Sequence, residues 1–287
     1  MTENLKQETV LVTAASGKTG RRVAERLAAR GVNVRAGSRK GEMRAGSRKG
    51  EMRFDWEDGS GWARALDGAD AAYVAYYPDL AAPGAPEVMR AFGRVAAESG
   101  VRRLVLLSGR GEPEAVVAEG ALRESGVDLT VVRSSFFAQN FSEGAMYEGV
   151  LAGEIPFPAG ETAEPFIDAD DLADVVVKIL TEEGHAGLVH EVTGPRPVTF
   201  GEVAAEIGRA TGREVRYVPV SGAQYAEMLQ RFGFPEPESQ WLADLFTMLL
   251  DGHNASVTNG VRQLLGREPK TFAAFARDAA QAGAWSA

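Results

Sequence analysis

Thr9-Val10-Leu11-Val12-Thr13-Ala14-Ala15-Ser16-Gly17-Lys18-Thr19-Gly20 is the stretch on which the fold turns. Its first five residues are apolar or β-branched without alternation, the pattern of a strand buried on both faces. A glycine turn follows, and from Arg21 to Arg30 the residues Val23 and Leu27 stand at helical spacing, with Gly31 as the stop. Strand, glycine turn and helix in that order let the backbone approach a pyrophosphate, whose charge then rests on the helix N-terminus. Thr13 closes the strand, Gly17 and Gly20 supply the close approach, and Ser16, Lys18 and Thr19 add donors. Ala14 stands where the usual pattern has its first glycine.

Working outward, Val32 to Ala36 alternates and reads as a second strand. A chain that binds NAD places Asp or Glu at the end of that strand, to hold the ribose 2′-hydroxyl. Here the strand runs into Gly37, Ser38, Arg39 and Lys40 with no acid, and a guanidinium suits a 2′-phosphate. NADP(H) is therefore the expected cofactor, with Arg39 as its phosphate ligand and Ser38 and Lys40 assisting. The nine residues Arg35 to Met43 recur unchanged as Arg44 to Met52, a tandem duplication and not a solenoid repeat. The first copy is assigned to the strand end and the second to a looped-out insert. Arg48 of the second copy is an alternative phosphate partner, and the sequence does not choose between the two.

Beyond it, Met52 to Trp56, Ala71 to Tyr76, Val101 to Leu107 and Asp128 to Val132 read as strands three to six. Pro86 to Ser99 and Glu112 to Ser125 read as intervening helices. That alternation predicts an α/β fold, a Rossmann-type doubly wound and mostly parallel sheet. After about residue 140 helices dominate: Asp170 to Leu180, Phe200 to Thr211, Gln224 to Phe232 and Ser239 to Leu250, with short strands at Leu188 to Val192 and Arg216 to Pro219. The expected organisation is a dinucleotide-binding domain over 1–140 and a smaller, mainly helical lobe over 141–287. The lobe is interleaved with the first domain and covers the carboxyl edge of the sheet, where open α/β sheets place ligands.

Candidate chemistry gathers at the strand ends. Asp55 follows the third strand and is a candidate for the adenine side, or a surface cap. Ala75, Tyr76 and Tyr77 end the fourth strand and fall near the nicotinamide, with Tyr77 and Tyr147 as candidate substrate residues. Ser108 ends the fifth strand, placed to meet a substrate or the nicotinamide ribose; a hydroxyl satisfied by nearby backbone is an equal alternative. The helix from Glu112 to Ser125 contains neither Tyr nor Lys, so the Tyr-x-x-x-Lys pair that protonates a carbonyl in ordinary short-chain reductases is missing. Tyr76 and Ser108 are the candidate catalytic residues in its place, with Tyr77 and Tyr147 as further proton donors; an acceptor that is already cationic, such as an iminium, needs none.

Other classes are disfavoured. Without cysteine there are no disulfides, thiolate nucleophiles or Cys-ligated metals. His185, His190 and His253 show no paired ligand spacing, and Asp168, Asp170 and Asp171 read as caps of a helix start, so no metal is expected. A net charge of −9 argues against a nucleic-acid partner. No run of about 18 apolar residues and no basic-then-apolar leader occurs, so a soluble, cytoplasmic chain with a small-molecule substrate is expected, and the Asn140 and Asn254 N-x-S triplets are chance matches. A homodimer or a protein partner is left open.

Four segments, VLVTAASGKTG from Val10, VRRLVLLSG from Val101, LRESGVDLTVVRSSFFAQNF from Leu122 and FIDADDLADVVV from Phe166, resemble the NmrA-like atypical short-chain dehydrogenase/reductases. The tail, from Thr193-Gly194-Pro195 through Gly266 to Phe272 and Phe275, is most similar to the ergot-alkaloid (festuclavine and agroclavine) dehydrogenase branch, which reduces a C=N bond with NADPH. The resemblance implies that Gly17, Lys18, Thr19 and Arg39 contact the cofactor and that Phe136, Phe137 and Asn140 line the pocket beside the nicotinamide. Two departures stand out: Ser134 replaces a frequent proline, and the duplicated segment is not a family feature. The leading expectation is an NADPH-dependent reductase of a small aromatic or heterocyclic molecule, with a C=N, C=C, C=O or quinone acceptor, in natural-product tailoring. Quinone or anthrone reduction in polyketide tailoring is one alternative. Others are a redox sensor that binds NADP without turnover and a protein that merely retains the fold.

Overall fold

The computed structural model describes residues 8–39, 41 and 51–286. In chain order it begins β1 (Thr9–Val12), α1 (Lys18–Ala29), β2 (Asn33–Ser38), β3 (Glu51–Arg53), α2 (Trp62–Leu66), β4 (Ala71–Val74) and α3 (Ala85–Glu98). Next come β5 (Arg103–Gly109), α4 (Pro113–Arg123), β6 (Asp128–Ser134), α5 (Asn140–Glu143), α6 (Tyr147–Ala152), β7 (Glu154–Phe157) and β8 (Ala163–Glu164). Then follow α7 (Ala169–Thr181), β9 (Val189–Val192), β10 (Val198–Thr199), α8 (Phe200–Thr211) and β11 (Arg216–Pro219). The chain ends with α9 (Gly222–Arg231), α10 (Glu236–Leu249), α11 (Gly260–Leu265) and α12 (Phe272–Gln281).

Two compact units form. Unit 1 is 1–134, 169–192 and 260–266; unit 2 is 135–168, 193–259 and 267–287. Three alternating segments each mean that the chain passes between the units five times.

Unit 1 holds a seven-stranded sheet in the order β3-β2-β1-β4-β5-β6-β9, and each neighbouring pair is parallel. The order reverses between β1 and β4, which makes the carboxyl end of β1 the switch point where such sheets bind ligands. β1 is buried at every residue, as its unbroken apolar run demands. One face of the sheet packs on α2, α3 and α4 through Leu11, Val74, Leu104, Leu106 and Val131 against Trp62, Leu66, Met89, Phe92 and Leu122. Phe54, Trp56, Trp62 and Phe92 form an aromatic cluster there, with Phe92 edge-on to Trp56 at 5.1 Å and to Trp62 at 5.7 Å. α7 packs against α1, and Arg26 of α1 holds Asp170 and Asp174 of α7, each at 2.7 Å.

Three expectations are corrected. The strand near Val189–Val192, read as part of the second half, is the seventh strand of the sheet, and α7 belongs with it. Leu188 and Val189 remain 45% and 42% exposed, as fits an edge strand. The second repeat copy is not wholly an insert: Glu51 and Met52 pair with Ala36 and Gly37 in β3, while residues 44–50 lie outside the described residues. α1 begins at Lys18 rather than Arg21, because the glycine turn runs directly into the helix.

Unit 2 contains two two-stranded sheets, parallel β7–β11 and antiparallel β8–β10, among its helices. Its core is aromatic: Phe141, Phe157, Phe166, Phe200 and Phe272 are all buried and meet ring to ring.

Candidate functional site

The turn after β1 is built for close approach. Ala14 adopts φ +48°, the left-handed conformation that the expected glycine would take without strain. Its carbonyl accepts from Gly17 N at 2.8 Å, and Ala15 N donates to Gly37 O at 2.9 Å, tying the turn to β2. A Cβ at Gly20 would collide with the Ala14 carbonyl, 2.7 Å from its carbon, so only glycine lets α1 start this close to the turn. Gly17 is the N-cap of α1 and offers no side chain to the helix amides, and the first turn carries no acid. The N-terminal amides and dipole of this helix thus suit an anion. Ser16 is exposed, Lys18 half-buried and Thr19 buried.

Thr13 joins the turn to β4: its hydroxyl donates to Tyr73 O at 3.1 Å and accepts from Ala75 N at 2.8 Å. At the end of β2, Ser38 is buried and its carbonyl accepts from Phe54 N at 2.9 Å. Arg39 is exposed, its guanidinium 4.8 Å above the Tyr77 ring. Tyr77, read as a substrate residue, therefore stands against the candidate phosphate ligand. Asp55 closes its own turn, accepting from Glu57 N at 3.2 Å, and its carbonyl takes Trp62 Nε1 at 2.8 Å.

The two candidate catalytic residues lie at the carboxyl ends of β4 and β5. Ser108 is buried and donates to Glu119 Oε1 at 2.7 Å, not to backbone as one expectation had it. Glu119 is itself buried and takes a two-pronged contact from Arg133, at 2.9 and 2.7 Å. Ser108 and Arg133 are register partners on β5 and β6, so this triad staples neighbouring strands to α4. Tyr76 leans edge-on against Trp56 at 5.3 Å, and burial, with the Glu57 charge second, pushes its phenol up. A lysine beside a catalytic tyrosine has the opposite effect.

The sequence reading missed two acids at the carboxyl edge, Asp79 just after β4 and Glu112 just after β5. Burial pushes both carboxyls up, Glu112 to about 9 with Asp79's charge as the second cause. The only signal was position: both acids follow within a few residues of a buried strand end.

In unit 2, Phe136 is half-buried, its ring 6.0 Å from Phe157 and from Phe166 and 5.9 Å from Phe246. It forms the partly open rim of the aromatic core. Phe137, half-buried, bridges to Ile167 through backbone. Asn140 opens α5, its carbonyl accepting from Met146 N at 3.1 Å, and Tyr147 opens α6, half-buried. Asp168 accepts from Gln139 Nε2 at 2.9 Å and meets Lys270 at 3.3 Å. In unit 1, Asp170 and Asp171 stand in the first turn of α7, and Asp170 also meets Arg22 at 3.3 Å. The structure brings His185 and His190 together, Nδ1 to Nε2 at 3.3 Å, a pairing the spacing did not suggest.

A parallel sheet of this order with an uncapped, glycine-cradled helix start at its switch point defines a dinucleotide-binding protein, and residues 14–183 match the model of NAD(P)H-binding domains. Residues 116–276 match the NmrA-like family model, and the chain belongs to that family. It is similar to the (4-alkanoyl-5-oxo-2,5-dihydrofuran-3-yl)methyl phosphate reductase of Streptomyces griseus, 33% identical over 95% of this chain and 98% of that one. It is also similar to the agroclavine dehydrogenase of Claviceps fusiformis, 30% identical over 94% and 96%. Among solved structures, the NADPH complex of an NADPH-dependent quinone oxidoreductase from Escherichia coli shares the fold at TM-score 0.70 and 21% identity, covering 94% of this chain and 99% of that one. The family to which the chain belongs thus includes NAD(P)H-dependent oxidoreductases of small molecules. No helix among the described residues is long and apolar enough to cross a membrane.

Proposed function

We propose that the chain is an NADPH-dependent reductase of a small aromatic or heterocyclic molecule with a C=N, C=C, C=O or quinone acceptor, working in natural-product tailoring. Arg39 carries the reading: among the described residues the end of β2 presents an exposed guanidinium and no carboxylate, the arrangement that favours a 2′-phosphate over a free ribose hydroxyl. The start of α1 fits a pyrophosphate, since Gly20 lets the helix begin directly against the Ala14 turn and no acid in its first turn opposes the charge. Thr13, Ala14, Ser16, Gly17, Lys18, Thr19, Ser38, Arg39 and Asp55 would hold the cofactor, with Ala75, Tyr76 and Ser108 towards its nicotinamide end. Bound NADPH supplies hydride. The protein's part is to bind, orient and exclude water. Tyr77, Phe136, Phe137, Asn140 and Tyr147 are the residues assigned to substrate, and the clavine and furanyl-phosphate substrates in the relatives' names support a small unsaturated acceptor.

The test is titration with NADPH and NADH, followed by nicotinamide absorbance against a panel of quinones, cyclic imines and enones. NADPH-selective binding with consumption on one acceptor class is the expected result. Tight binding without turnover across the panel would turn the assignment to a redox sensor.

A further inference from the structure

Asp79 and Glu112 follow β4 and β5, adjacent parallel strands, so both reach the carboxyl edge of the unit 1 sheet. Glu112 is the N-cap residue of α4 and is 7% exposed, yet its side chain does not cap the helix. Its carboxyl folds back against Gly109, where any Cβ would overlap it. That glycine leaves the room the carboxyl occupies. Oε2 is buried with no donor in reach. Burial first and the charge of Asp79 second both push the Glu112 carboxyl up, and a buried carboxyl with no donor or cation beside it is favoured in its protonated form.

The surrounding charges favour that proton. Glu114 and Glu119 of α4 both bear on Glu112 with the same sign. Glu119 is engaged by Arg133 of β6, and Arg110, in the loop before α4, meets Glu191 of β9 at 3.0 Å. Among the described residues no cation pairs with Asp79 or Glu112. Asp79 is half-buried, with Oδ1 accepting from Ala81 N at 2.8 Å, and gives the pair its side towards water.

We propose that Asp79 and Glu112 hold one proton between them at neutral pH and deliver it to the acceptor during reduction, the task of the Tyr–Lys pair this chain lacks. The inference rests on the reductase reading. The acceptor takes two electrons and one hydrogen as hydride from NADPH, which becomes NADP⁺, and one proton from the carboxyl pair. The pair is left doubly ionised and regains its proton from water.

Two acceptors separate proton delivery from everything else: a neutral naphthoquinone, which needs a proton, and crystal violet, a cationic dye that hydride alone neutralises. Glu112→Gln should lower the quinone-to-dye rate ratio about 100-fold, the scale of positioned acid catalysis. Asp79→Asn should lower it in the same direction, which keeps the test sound if one variant misfolds. The native quinone rate should fall as pH rises through about 9, and this limb should vanish in Glu112→Gln. In the cofactor-free protein, infrared difference spectra at pH 7 should show a protonated carboxylic acid stretch that moves in heavy water and is missing from Glu112→Gln. Equal loss on both acceptors, or no such band, overturns the proposal while the reductase reading stands. Failure of the native protein to oxidise NADPH with these two acceptors and with every quinone, cyclic imine and enone of the panel overturns the reductase reading, and proton delivery with it.

Discussion

On the proposed reading, cofactor choice rests on one side chain, Arg39. A charge-assisted phosphate contact contributes about 1.5–3 kcal/mol. Arg39→Ala should therefore weaken NADPH by roughly 10- to 100-fold and leave NADH little changed, measured by fluorescence titration; equal loss for both would remove Arg39 as the phosphate ligand. Gly20→Ala places a methyl into the Ala14 carbonyl, an overpacking that costs about 1–3 kcal/mol and should abolish tight NADPH binding. Glu119→Ala strands the half-buried Arg133 and the Ser108 hydroxyl, and should cost about 3 kcal/mol in urea unfolding. The glycine turn and the basic strand end were legible because each is a contiguous pattern with one physical meaning. Ser108's true partner was not, since Glu119 stands on the following helix and meets it only once β5, β6 and α4 have packed. Asp79 and Glu112 were illegible for the same reason: their meeting is created by β4 lying beside β5, which no local spacing encodes.

At the scale of elements, α8 was read to the residue because its ends are marked: Thr199 and Glu202 make a reciprocal cap at its start, and Gly212 closes it at φ +68°. β7, β8 and β10 escaped notice, being two to four residues long, with Pro156 within β7. β9 was found but misassigned, because four residues that alternate weakly read alike at a sheet edge and in a separate lobe. α3 anchors one face of the sheet through Phe92, which meets Phe54, Trp56 and Trp62. Phe92→Ala should cost about 3–5 kcal/mol, read as a lower denaturation midpoint.

For the molecule as a whole, the carboxyl pair gives stability a pH dependence of defined sign. Glu112 is raised in the fold to about 9, so the folded state binds a proton that the unfolded chain has already released above its ordinary value near 4.5. That contribution is complete below the unfolded value and is lost as pH rises towards the folded one. The melting temperature should fall between pH 5 and 9, and the same scan on Glu112→Gln should be flatter; parallel curves would count against a retained proton. Saturating NADPH, at 100 times its dissociation constant, should add about 2.7 kcal/mol. The interleaving of the two units bears on how the protein is made. When residue 134 leaves the ribosome, six strands of the sheet exist, but β9, α7 and α11 are still to be synthesised. The last segment of unit 1 closes at residue 266, and at 5–20 residues per second the wait is roughly ten seconds. Through that interval the nascent sheet lacks part of its cover, so the newborn chain should lean on ribosome-associated chaperones, and a fragment cut after β6 should not behave as a free-standing cofactor module.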